Sequence, residues 1–396
     1  MELIKNKIDC SGCAMCYNIC PKRAIQMVED ENGYIYPKVN EEKCVNCGLC
    51  KKSCAYQIKD KNLNKPVKTY VATSKNDNLI KKSASGAIFA SIAEEFIKKN
   101  GIVYGASMEK ENDLFIVKHI RVNKLEELSK LQGSKYVQSD TSKIYQPIKN
   151  DLESGAKVLF SGTPCQVDAL KSYLNKQYEN LFTIDLICHG VPNSRMFNDY
   201  IKMLEKHENS KLIDFTFRDK AKGWGLYASY NIKKNNKILK KVKPSYEMSY
   251  YQLFLDSKIY RENCYSCPYA KEQRVGDITI GDFWKVESEH PEYLDRLNIK
   301  KGVSCTLVNT DRGKKILSDF SKNILLLDSE LEKVKRHNKQ LIKPSELSEE
   351  RNIILNLYNR NGYEAVNSYY LKKQMKKILL KKLWYKIPSK IRNKIK

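Results

Sequence analysis

The 396-residue sequence predicts an α/β protein, α+β overall. A small cysteine-rich module precedes a mixed, largely parallel α/β body and a helical, basic C-terminal tail. Three observations carry that expectation. Two cysteine runs of matching spacing occupy the first 54 residues. From about residue 67 to 309, short apolar runs alternate with stretches of helical periodicity, the pattern of strands covered by helices. Beyond residue 328 the chain reads as polar helix, and residues 371–396 hold eleven Lys or Arg with no Asp or Glu.

The first run is Cys10-x-x-Cys13-x-x-Cys16-x-x-x-Cys20-Pro21, and the second is Cys44-x-x-Cys47-x-x-Cys50-x-x-x-Cys54. Three thiolates at intervals of three can wrap one corner of a 4Fe-4S cubane. The fourth, expected at the start of a short helix, points away and ligates the other cluster in two-cluster ferredoxins. The spacing therefore assigns Cys10, Cys13, Cys16 and Cys54 to one cluster, and Cys44, Cys47, Cys50 and Cys20 to a second. A zinc module usually shows two Cys-x-x-Cys pairs instead of a tandem of four. Residues 1–62 are read as this bacterial-type two-cluster ferredoxin domain, with a polar linker over 55–66.

In the body, residues 70–73 read as a strand, 87–99 as a helix, 101–106 as a strand, and 125–131 and 144–152 as helices. Strand, turn and helix repeat through 157–160, 161–164 and 165–174, then through 181–187 and 196–205. Cys165 and Cys188 each fall just past the carboxyl end of a strand, where open α/β sheets bind ligands. Residues 215–242 look like a hairpin turning at Asn235-Asn236. Residues 276–284 and 302–309 read as the last strands.

Thirteen Cys, eight of them in ferredoxin spacing, argue for a reducing cytosol and an anaerobic source, not a disulfide scaffold. No apolar run is long enough to span a membrane, and residues 1–5 show no leader pattern. A cytoplasmic protein is expected. The net charge of +25 falls to about +14 without residues 371–396. No nucleic-acid-binding motif accompanies it, so the charge suits acidic partners and excludes base readout.

Cys165, Cys188, Cys264, Cys267 and Cys305 remain. Cys264-x-x-Cys267-Pro268 is a ligand-type loop that needs two more donors, for which Cys165 and Cys188 are the natural candidates. Zinc, a third 4Fe-4S cluster and plain apolar packing are all compatible with these residues. Cys305, alone in an apolar strand, reads as packing.

From about residue 67 to 309 the chain resembles the beta-subunit family of coenzyme F-420 hydrogenases and dehydrogenases. The resemblance rests on Ser83-Ala84-Ser85-Gly86, Gly133-Ser134-Lys135-Tyr136-Val137-Gln138, Ser161-Gly162-Thr163-Pro164-Cys165-Gln166 and Asp185-Leu186-Ile187-Cys188-His189-Gly190-Val191-Pro192. Phe217-Arg218-Asp219-Lys220, Cys264-x-x-Cys267-Pro268 and Gly276-Asp277-Ile278-Thr279-Ile280-Gly281-Asp282-Phe283-Trp284 complete it. It implies an N-terminal region over 67–155 that binds FAD, and a cluster and flavin region over 156–328. It also implies a third 4Fe-4S cluster on Cys165, Cys188, Cys264 and Cys267. Ser85, Gly86 and Lys135, with Ser134, would face the FAD pyrophosphate. Thr163 and Gln166 would face the flavin ring, and His189 would shuttle a proton. One departure from relatives is Ala87, where a second Gly often stands.

The implied activity is an iron–sulfur flavoprotein oxidoreductase, joining clusters through FAD to coenzyme F-420 or a similar hydride carrier. An F-420-independent reductase of surface-polysaccharide synthesis and a non-catalytic relay subunit are the rivals. A redox partner or catalytic subunit is expected, because no nickel-site motif is present. Within the extension over 329–396, Leu371, Met375, Ile378, Leu379 and Leu383 lie among lysines, and such a helix would suit an anionic membrane surface.

Overall fold

The computed structural model describes residues 3–58 and 60–386. Near the N-terminus a hairpin pairs β1 (Ile25–Glu29) with β2 (Ile35–Val39). Short helices at Met15–Ile19 and Leu49–Lys52 carry Cys16 and Cys50. The expectation that Cys20 and Cys54 begin helices is thereby corrected, since both follow a helix. Pro21 pushes Cys20 out of the helical region, and the chain there is extended (φ −72°, ψ 110°).

The body is built on one eight-stranded sheet. Its strands are β3 (Lys68–Ser74), β4 (Ile102–Glu111), β5 (Leu114–Val122), β6 (Val158–Gly162), β7 (Leu181–Leu186), β11 (Ile278–Asp282), β12 (Ser304–Val308) and β13 (Ile324–Ser329), in the spatial order β13-β3-β12-β11-β7-β6-β4-β5. A second, three-stranded antiparallel sheet holds β8 (Leu212–Phe217), β9 (Tyr227–Lys234) and β10 (Lys237–Pro244). The α/β class stands as expected. Parallel pairing is concentrated in the centre, β4-β6-β7-β11, and both flanks are antiparallel. The cause is local. β6 and β7 are joined by the helix Pro164–Leu174, a crossover that makes them parallel. β4 and β5 are joined at Asn112-Asp113, both at positive φ, the backbone of a tight hairpin turn. The expected turn at Asn235-Asn236 has the same left-handed pair and joins β9 to β10.

Helices cover both faces of the large sheet. On one, Ile88–Lys98 and Asp311–Phe320 bury Ile92, Phe96, Ile316 and Phe320 against Leu159, Ile184 and Ile278. On the other, Tyr145–Glu153 and Pro164–Leu174 bury Ile148, Val167 and Leu170 against Val158 and Phe160. Covering both faces explains why β6 and β12 are buried at every position. A third core, rich in Tyr and Phe, joins the helix Ser194–Glu208, β8 and β9 to the long helical segment Glu349–Lys386, which breaks at Gly362. Tyr34 and Tyr36 of the N-terminal hairpin belong to this core.

The segment 55–66 is no free spacer. Ala55 is buried, the Tyr56 hydroxyl donates to Asn263 O at 3.1 Å, and Asn64 exchanges backbone hydrogen bonds with Arg274. This segment is thus held on the body near both of its ends. Among the described residues, no helix is long and apolar enough to cross a membrane. Residues 387–396 of the basic tail lie outside the described residues. Of its apolar residues, Leu371, Met375, Leu379 and Leu383 are exposed, whereas Ile378 is buried in the aromatic core.

Candidate redox site

The twelve thiols of the three ligand motifs fall into three groups of four. Cys20, Cys44, Cys47 and Cys50 line one small cavity. Cys10, Cys13, Cys16 and Cys54 line another. Each cavity takes three thiols from one run and the last thiol of the other. Cys165, Cys188, Cys264 and Cys267 form the third group, close enough for each to shift the ionisation of others in the set. Cys165 opens the helix Pro164–Leu174 after β6, Cys188 follows β7, and Cys264 lies on the short helix Glu262–Ser266. Cys305 is buried in an apolar cluster with Val71 and Leu307.

Burial pushes the thiol pKa up at Cys13 and Cys264 to about 12, and at Cys267 to about 11. At Cys188 it rises well above the ordinary value, through burial and then through Cys264, Cys165 and Cys267. Such a set ionises only against a cationic metal centre, and four thiolates fit iron–sulfur or zinc alike. Among the described residues, no three His, Cys, Asp or Glu side chains close around a single ion.

The two module cavities are not equivalent. The Cys10–Cys54 cavity faces the body, where Thr141 Oγ1 and Tyr145 OH donate to Cys13 O at 2.8 and 2.7 Å. Gln138 Nε2 donates to Ser11 O at 3.0 Å. Gly12, at φ +66°, lets this loop close up: a Cβ there would stand 2.8 Å from Gln138 Nε2. The Cys20–Cys50 cavity lies on the outer side, with Cys47, Val45 and Leu49 exposed. Tyr145, Tyr56 and Tyr269 lie near both cysteine sets: Tyr56 lines the inner cavity, and the ionisation of Tyr145 and Tyr269 is shifted by Cys13 and Cys165 together. Tyr269 OH donates to Asp168 at 2.6 Å, and Lys61 Nζ lies 5.0 Å from the Tyr269 ring.

The third group is held by a buried ion pair. Arg274 donates to Asp185 Oδ1 at 3.1 Å, to Leu186 O at 2.9 Å and to Tyr269 O at 3.0 Å. Asp185 also accepts from Gly276 N and Thr279 Oγ1, at 2.9 and 2.6 Å. One network therefore ties the end of β7, which leads to Cys188, to the chain leaving Cys267.

The residues expected to face a flavin gather only in part. Ser85 and Gly86 lie at the carboxyl edge of the sheet, beside Ser304, whose backbone pairs with Asp282. There Gly86 N donates to Ser304 Oγ, and a Cβ at Gly86 would stand 2.6 Å from Ala72 O. This glycine is required by close strand packing. Gln166 accepts from Thr163 N and donates to Ser139, closing the start of its helix, while Thr163 Oγ1 lies 3.1 Å from Cys165 Sγ. Ser134 bridges to Phe217. Among the described residues, Lys135 Nζ has the carbonyls of Lys130 and Gln132 as its hydrogen-bond partners, and burial lowers its pKa to about 7. His189 is exposed at the same sheet edge; partial desolvation there lowers its imidazole pKa, with Asp282 opposing and Arg218 assisting.

Sequence reasoning gave no role to Arg218 and Lys220, although the family motif contains both. Arg218 donates to both Asp282 oxygens and to Ala84 O, and Trp224 Nε1 also reaches Asp282. Lys220 Nζ donates to Ser85 O, Ile80 O and Lys301 O. Asp282 thus orders the loop around Ser85, and burial lowers the Lys220 pKa to about 8.

Comparison with known proteins places these features. Residues 155–333 match the family model for the carboxyl-terminal region of the coenzyme F420 hydrogenase/dehydrogenase beta subunit. The chain carries this beta-subunit carboxyl-terminal domain over those residues. Residues 9–58 match the 4Fe-4S dicluster domain. The cysteine-rich part is similar to an uncharacterized ferredoxin of Methanocaldococcus jannaschii, 39% identical over 54 residues, 14% of this chain and 69% of that protein. It is also similar to a polyferredoxin-like protein of the same organism, 42% identical over 53 residues, 11% of this chain and 32% of that one. The ketoisovalerate oxidoreductase subunit VorC of Methanothermobacter marburgensis is 33% identical over 51 residues, 12% of this chain and 65% of its own length. The chain thus spans about a third of the second relative and just under two thirds of the third. Among solved structures, a chain of the F420-reducing NiFe hydrogenase complex from Methanosarcina barkeri aligns over 76% of this chain and 95% of its own. Its TM-score is 0.44 at 17% identity, a likeness too loose to carry an argument. The two matches together make the chain an iron–sulfur protein of oxidoreductase type, related to the F420 hydrogenase beta subunit and built for electron transfer.

Proposed function

We propose that the chain is an iron–sulfur flavoprotein oxidoreductase that moves electrons between 4Fe-4S clusters and a hydride carrier, coenzyme F-420 or a similar molecule, through FAD. The observation that carries this reading is the grouping of twelve thiols into three fours, with Tyr56, Tyr145 and Tyr269 near both the inner set and the third group. Cys20, Cys44, Cys47 and Cys50 would hold an outer cluster, and Cys10, Cys13, Cys16 and Cys54 an inner one. Cys165, Cys188, Cys264 and Cys267 would hold a third. Clusters supply one-electron chemistry, and a flavin couples it to two-electron hydride chemistry.

The chain's own residues hold and orient. Thr141, Tyr145 and Gln138 fix the inner cysteine loop through its carbonyls. The Asp185–Arg274 pair sets Cys188 against Cys267. For FAD, the fit rests on Lys135, a half-buried cation with no carboxylate partner among the described residues, which suits a phosphate. Ser134 beside it, and the Ser85–Gly86 turn supported by Lys220, would line the same ligand. Thr163 and Gln166 stand next to Cys165 and would meet the flavin ring. His189, at the sheet edge and largely neutral near pH 7, would accept a proton. An external redox protein or catalytic subunit is the expected partner, and the exposed Leu371, Met375, Leu379 and Leu383 would contact an anionic membrane surface.

The direct test adds reduced F-420 to anaerobically purified protein and follows flavin absorbance. Rapid bleaching is expected. Bound flavin that is inert to F-420 but bleached by another reduced carrier would move the activity to the F-420-independent reductases. Failure to bind flavin at all would reduce the protein to a relay.

A further inference from the structure

Arg261 is fully buried, and its environment is unusual for a guanidinium. Nε donates to Cys10 O at 3.0 Å, Nη1 reaches Gln138 Oε1 at 3.5 Å, and the guanidinium carbon lies 4.0 Å from the centre of the Tyr36 ring. Among the described residues, Nη2 has no hydrogen-bond partner and no carboxylate pairs with the guanidinium. Its main chain belongs to the other side: Arg261 N donates to Val191 O, and Cys264 N donates to Arg261 O at 3.0 Å. Its charge is felt by Cys165 and Cys264. So one side chain touches the loop of the inner module cavity and acts electrostatically on the third cysteine group.

An arginine always carries its charge, and a charge this deep is costly unless something compensates it. A cation–π contact and two neutral acceptors compensate it weakly. Two fours of thiolates, each bearing a net negative charge even around iron, would compensate it fully. Resting on the cluster reading above, we propose that Arg261 is the shared counter-charge of the inner and third cysteine sets, a positioning residue that raises the reduction potential of the groups they hold. Adding an electron beside a fixed cation is favoured, and the low-dielectric surroundings enlarge the effect. The outer set, on the far side of the module, does not sense it.

The test is an EPR-monitored redox titration of full-length protein, purified anaerobically, as wild type, Arg261→Lys and Arg261→Gln. Glutamine keeps a donor for Cys10 O and loses the charge; lysine keeps the charge and loses the fork. In Arg261→Gln the reduced-to-oxidised ratio of at least one centre at fixed potential should fall about tenfold, about 59 mV for a one-electron couple. Arg261→Lys should stay close to wild type, and the outer centre should not move in either variant. Iron content separates the two ideas. Wild-type protein lacking iron at these sets defeats the cluster reading itself. Full iron with unmoved potentials in Arg261→Gln leaves that reading intact and defeats the role of Arg261. Loss of iron in both variants alike makes Arg261 a packing anchor and overturns the proposal. Loss confined to Arg261→Gln supports the charge as the required feature.

Discussion

Replacing Asp185 by Ala tests how the third cysteine group is assembled. Asp185 is wholly buried and Arg274 is 2% exposed, so neither charge has water to fall back on. Removing the carboxylate leaves the guanidinium uncompensated, at a cost of about 3–5 kcal/mol. It also leaves Gly276 N and Thr279 Oγ1 without an acceptor they now use. A typical domain is stable by about 5–15 kcal/mol, so the loss is a large fraction of the whole. The assay is a urea unfolding curve followed by tryptophan fluorescence, with iron measured on the same samples. The midpoint should fall strongly, and iron should fall with it, because Cys188 and Cys267 lose their common anchor. Asp185→Leu combined with Arg274→Met should recover most of the stability, since both charges leave together. A single variant within about 1 kcal/mol of wild type, or a double variant no better than the single, would refute the reasoning.

Further outcomes follow from the same geometry. Cys54→Ser should abolish the same EPR signal as Cys10→Ser and spare the one lost in Cys20→Ser, because the cavities exchange their last ligands; matched loss of Cys54 with Cys44 would contradict this. His119 is buried with Nε2 on Ser161 O, and burial lowers its pKa from 6.5 to about 4. The unfolded chain therefore binds a proton that the native one refuses between those values. That part of the stability is complete above pH 6.5 and is lost as pH falls toward 4, by up to about 3 kcal/mol. His119→Phe should flatten the acid limb in this window, checked by urea midpoints at pH 7, 5.5 and 4.5. Lys135 has its pKa near 7, so an anionic phosphate placed beside it should raise that value and draw in a proton. FAD binding near pH 8 should show proton uptake in calorimetry across buffers of different ionisation heat, and Lys135→Met should abolish it.

The α/β class was legible because strands such as β6 and helices such as Ile88–Lys98 are long or apolar enough to show one period only. β5 was missed because Leu114–Val122 is apolar on both faces, which hides the alternation of its burial, although Asn112-Asp113 marked the turn. The cysteine spacing shows two fours but does not place the short helices, which end at Ile19 just before Cys20-Pro21 and at Lys52 just before Cys54. Arg261 and the Asp185–Arg274 pair were not legible. A lone arginine in sequence is read as a solvated cation, and only the fold shows which charges are enclosed and what they face. Gly86 shows the reverse case: a motif glycine read for a ligand is also demanded by the strands beside it.

The most direct test of the account is the content of iron and flavin per chain in protein purified without oxygen. Three fours of thiols predict about twelve iron atoms, together with one FAD. About eight irons and no flavin, with Cys165, Cys188, Cys264 and Cys267 still reactive toward a thiol reagent, would contradict it and leave a two-cluster relay.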